Sequence, residues 1–81
     1  MYRRLAKTTG IELDGKTYDV RFYELETTRG GQRFSCEVLL GPTDRIILDG
    51  DSMTSLDSKV ARLAPAMVYS RLLAARPSVA A

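Results

Sequence analysis

Phe34, Cys36, Val38 and Leu40 alternate with Arg33, Ser35, Glu37 and Leu39, and a two-residue apolar period of this kind belongs to a strand with one covered face. Two further runs share that period. From Leu56 to Leu73 the apolar spacing then changes to three and four, the period of a helix. Alternating runs followed by one amphipathic stretch confine the chain to a small sheet with a helix across one face.

The fold class that follows is α+β. It consists of an antiparallel β-meander of three long strands plus a short N-terminal strand, packed on one face by a C-terminal helix kinked at Pro65. With 81 residues the chain is a single small domain. Residues 1–8 are expected to be a flexible basic arm, 9–76 the folded core and 77–81 a loose tail. A chain this short buries only about 60–65% of its unfolded surface, so its stability should be modest.

The turns set the pairing. Asp14-Gly15 suits a two-residue hairpin that needs positive φ twice, which places Leu13 opposite Lys16 and Ile11 opposite Tyr18. Ile11, Leu13, Tyr18, Val20 and Phe22 then share one face. A turn of Gly30-Gly31 alone would put Phe34, Cys36 and Val38 on the opposite face and split the core. A three-residue loop, Arg29 to Gly31 with Gly31 left-handed, reunites them by pairing Phe22 with Val38 and Val20 with Leu40. Gly41-Pro42-Thr43-Asp44 reads as a turn. Arg45 to Asp49 follows as a strand with Ile46 and Leu48 inward and Ile47 outward.

For the helix, Thr54 and Asp57 have the spacing of a capping box. Leu56, Val60, Leu63 and Met67 form the expected inward stripe, and Phe22, Val38, Leu48, Val60 and Leu63 the expected core. Pro65 lacks an N–H and should kink the helix. Beyond it, Met67, Val68, Tyr69, Leu72 and Leu73 are apolar nearly all round. Arg76 suits the helix C-terminus and Pro77 its end.

Composition narrows the chemistry. Twelve basic and ten acidic residues leave a net charge of +2, too small to argue for a polyanion partner by itself. One cysteine excludes an internal disulfide, and the lack of histidine removes Ser-His and Cys-His nucleophile pairs and imidazole metal sites. No apolar run approaches the roughly 18 residues needed to span a bilayer. Met1 to Thr9 is basic without an apolar segment behind it, unlike a signal peptide. A cytoplasmic, non-catalytic protein with no metal and no cofactor is the expectation.

Cys36 falls within the inward alternation and reads as a small core hydrophobe. Asp49 and Asp51 precede the helix, where turn and capping chemistry accounts for them better than a cation does. Ser52, Thr54 and Ser55 could face a phosphate, but the glycine-rich loop and lysine of a nucleotide site are absent, and capping is the better account. Two apolar surfaces remain. Tyr23, Leu25, Leu39 and Ile47 fall on the outer sheet face, and Val68, Tyr69, Leu72 and Leu73 lie on the helix after Pro65. Both are candidate protein interfaces, with a homodimer through the helix patch the leading expectation. The second reading is a nucleic-acid contact through the hairpin and arm, using Arg3, Arg4, Arg21, Arg29, Arg33 and Arg45. Asp19, Glu24, Glu26 and Glu37, on or beside the same strands, oppose it.

Overall fold

The computed structural model describes residues 2–75. The expectations for Arg76, Pro77 and the tail at 77–81 lie outside the described residues. Four strands, β1 (Tyr2–Leu13), β2 (Lys16–Glu26), β3 (Gln32–Leu39) and β4 (Arg45–Gly50), pair antiparallel in chain order. Among the described residues one helix, α1 (Met53–Ala75), packs across one face of this meander. The α+β class read from the alternation is the observed one.

The first hairpin forms as the turn chemistry dictates. Leu13 pairs with Lys16 and Ile11 with Tyr18, and Asp14 and Gly15 take φ of 52° and 76°. The strand leading into it is not short. Residues 2–8, expected as an arm, continue β1 to 12 residues against β2. An irregularity hides this extension in the sequence. Leu5 lies opposite Tyr23 and Lys7 opposite Phe22, leaving Ala6 as the extra residue of a β-bulge. In an unbroken strand Arg3, Leu5 and Lys7 would all share the face of Ile11. The bulge turns Arg3 and Leu5 to the outer face, while Lys7 stays under the helix. There its ammonium lies 4.7 Å from the centre of the Phe22 ring and donates to both oxygens of Asp57 at 2.8 and 2.9 Å.

The second connection corrects the expected loop. It has five residues, 27–31, and pairs Val20 with Val38 and Phe22 with Cys36. Thr27 organises it: its carbonyl accepts from Gly30 N, its N–H donates to Gly31 O, and its hydroxyl accepts from Gly31 N. The left-handed residue is Gly30, with φ +79°, and not Gly31. The register differs from the expected one by two residues. An even slip leaves every side chain on its face, so the core survives the error.

Val20, Phe22, Cys36 and Val38 are buried between sheet and helix, with Ile46 beside them on β4. Leu48 is only partly covered, and Ile47 points outward as expected. The helix begins one residue after Ser52, whose Oγ accepts from Ser55 N at 3.1 Å as an N-cap. The expected Thr54–Asp57 box does not form, because Asp57 turns toward Lys7. The helix runs undivided through Pro65. Its buried row is Leu56, Val60, Ala64 and Val68, at steps of four. Leu63 and Met67, expected inward, are 38% and 37% exposed. Small residues explain the rotation. Gly50 lets the helix approach so closely that a Cβ there would lie 3.1 Å from Leu56 Cβ, and Ala64 continues that close contact one face away from Leu63.

Candidate functional site

Two surfaces carry what chemistry the chain displays. On the outer sheet face, β3 presents Ser35 and Glu37, both buried although among the described residues no second layer covers this side. Side chains from the neighbouring strands close over them. Arg3 crosses from β1 over the Tyr23 ring, 3.8 Å from its centre, and donates to Glu37 Oε1 at 2.6 Å. Arg45 on β4 approaches Glu37 Oε2 at 3.5 Å from the other side, and Arg21 lies directly opposite on β2. The carboxylate is therefore the centre of an arginine clamp. Around it Tyr23, Leu25 and Leu39 are half-buried, while Leu5 and Ile47 are 52% and 53% exposed.

The arginines expected to meet nucleic acid are largely engaged inside the chain. Arg3 and Arg45 hold Glu37, Arg4 donates to Glu24 Oε2 at 2.6 Å, and Arg33 lies 3.8 Å from Asp51. Among the described residues, Arg21 and Arg29 are the two of the six candidates that form no ion pair. The arm that was to supply Arg3 and Arg4 is a strand.

The second surface lies along the helix. Val68, expected at an interface, is in the core, and Leu72 is half-buried against it. Tyr69 and Leu73 do face outward, as do Leu63 and Met67, so the helix beyond Pro65 is apolar on more sides than the sheet can cover. A cleft of about 410 Å³ runs between this helix and β4, lined by Ile46, Leu63, Ala66, Met67 and Ala74. Arg71 closes its lower side by donating to Asp44 in the β3–β4 turn.

The face that overhangs β4 can be read from two contacts. Asp57 reaches Lys7 on β1, whereas Lys59 donates to the Asp49 carbonyl on β4. Lys59, Leu63, Met67, Ser70 and Ala74 form one stripe at helical spacing, so that stripe lies on the β4 side. The sequence reading missed Leu63 and Met67 as surface residues, having placed them inward. It also missed Leu5 and the Glu37 clamp, which exist only because of the bulge at Ala6.

Cys36 is buried, and burial pushes its thiol pKa up, against a smaller opposing hydrogen bond from the Leu48 backbone. Such a thiol is a poor nucleophile. Among the described residues no three His, Cys, Asp or Glu side chains gather as a metal site, and no helix is long and apolar enough to cross a membrane. No family model, curated protein or solved structure matches the chain.

Proposed function

We propose that this chain is a non-catalytic protein-contact domain whose working form is a homodimer. The observation that carries the reading is α1, where Leu63, Met67, Tyr69 and Leu73 stay exposed in a fold of one sheet and one helix. Exposed large apolar side chains gathered on one helix of a small domain favour an interface. The titratable clusters are occupied as structural ion pairs, with Glu37 between Arg3 and Arg45, and Asp57 on Lys7. The buried, unpaired Cys36 suits the reducing conditions of the cytoplasm.

Sedimentation equilibrium tests the reading. The wild-type protein is expected to be a dimer at micromolar concentration, and Met67→Glu is expected to shift it toward monomer while preserving its far-UV spectrum. A wild-type chain that stays monomeric at high micromolar concentration overturns it. The same samples mixed with DNA and RNA at low salt test the competing nucleic-acid reading, for which Arg21 and Arg29 are the available side chains. That reading predicts a complex lost steeply as salt rises.

A further inference from the structure

Among the described residues both outer strands of the sheet leave an edge without a partner, and the two edges differ. The edge of β1 is broken by the bulge at Ala6, a device that disrupts regular pairing. The edge of β4 is six residues long and regular. Its polarity follows from the β3–β4 turn. Leu40 N donates to Asp44 O, so residues 44, 46, 48 and 50 turn their backbone groups toward β3. Arg45, Ile47 and Asp49 therefore turn theirs to the open side. The contact from Lys59 to the Asp49 carbonyl is at that open edge.

We propose that this edge pairs antiparallel with the β4 of a second copy about a twofold axis at Ile47. The inference rests on the homodimer reading above and names its interface. Three observations select the second copy as the occupant. First, the register in which every open group of one strand faces an open group of the other is the one centred on Ile47. It sets Arg45 opposite Asp49 of the second copy, twice over, and opposite charges directly across strands attract. Second, the same register is apolar on the inner face, where Ile46 meets Leu48 of the second copy, and on the outer face, where Ile47 meets itself. Third, the stripe of Leu63, Met67 and Ala74 overhangs this edge. A twofold axis there lays the two helices side by side on one face of an eight-stranded sheet, with those residues between them. Lys59 gives up the Asp49 carbonyl to the Arg45 N–H of the second copy.

Charge exchange and cross-linking test the register. Arg45→Asp and Asp49→Arg each place like charges across the axis, and each alone should raise the dimer dissociation constant about tenfold or more. An equimolar mixture of the two should recover the dimer, because each chain then supplies the charges the other lacks. Independently, Ile47→Cys should form a covalent dimer with diamide. Paired residues of this type hold their Cα atoms about 5.5 Å apart, within disulfide reach. The wild-type chain, whose thiol is buried, should not cross-link. If Arg45→Asp fails to fold because Glu37 loses its contact, the Ile47→Cys result decides alone. A dimer by sedimentation that neither cross-links at position 47 nor recovers on mixing overturns β4 pairing and leaves the homodimer reading standing. A monomer throughout overturns both.

Discussion

Replacing Glu37 with alanine leaves Arg3, Arg21 and Arg45 converging on a face from which their shared anion has gone. The side chain is 8% exposed, accepts a 2.6 Å hydrogen bond from Arg3 and has Arg45 at 3.5 Å. A charge-assisted hydrogen bond to a largely buried carboxylate contributes about 1.5–3 kcal/mol, and a half-exposed second partner adds at most about 1 kcal/mol. The desolvation of the carboxylate offsets part of this. A net loss of about 2 kcal/mol is expected, which for a domain of this size lowers the melting temperature by about 8–16 °C. Glu37→Gln keeps the shape and removes the charge, so it should lose about half as much. Urea unfolding followed by far-UV circular dichroism, at one fixed protein concentration, measures both. Raising the salt should narrow the gap between wild type and Glu37→Ala, because the arginines remain half in solvent and are screened. If Glu37→Gln matches wild type within about 0.3 kcal/mol, a figure below the usual worth of one charged hydrogen bond, the clamp contributes nothing and the reasoning fails.

Gly30→Val should destabilise by more than about 1 kcal/mol because its φ of +79° excludes a branched side chain, while Gly31→Val should cost less, since Gly31 has no positive φ and its Cβ would meet only the Thr27 hydroxyl; equal losses in urea melts would mean a different turn. Cys36 should resist a thiol reagent at pH 8 until denaturant is added. Because its thiol pKa is raised in the folded state, only the unfolded chain gives up this proton above the ordinary thiol range of about 8.5. Stability should therefore be unaffected by this group below that range and fall as pH rises through it. Cys36→Ala should flatten that decline, and an unchanged slope would refute the assignment.

Much of the architecture is written in local chemistry. Asp14-Gly15 fixes a register because only one turn type suits both residues, and the alternation around Val38 fixes a face because each pair of residues repeats the choice. The helix is less legible. Leu63 and Ala64 are both acceptable core residues by spacing, and the choice between them depends on how closely the helix approaches Gly50, a tertiary distance that no periodicity encodes. Hydrophobic size favoured Leu63, and close packing favoured Ala64. The bulge is hidden for a similar reason. Ala6 has no side chain that demands either face, so nothing in Arg3-Arg4-Leu5-Ala6-Lys7 announces that the alternation restarts there. Without that restart, Arg3 cannot be placed over Tyr23, and the Glu37 clamp is invisible.

The bulge also makes β1 uneven in its tolerance to changes of length. Removing Ala6 would bring Leu5 next to Lys7, and their present partners, Tyr23 and Phe22, are already adjacent on β2. The shortened strand would therefore run in simple alternation with Arg3, Leu5 and Lys7 on the faces they now occupy. Removing a residue anywhere from Thr8 to Ile11 instead exchanges the faces of the residues between the gap and the bulge, and takes Lys7 away from Phe22 and Asp57. Position 6 thus acts as an expansion joint. The chain can lose that residue and keep Arg3, Leu5 and Lys7 on their present faces.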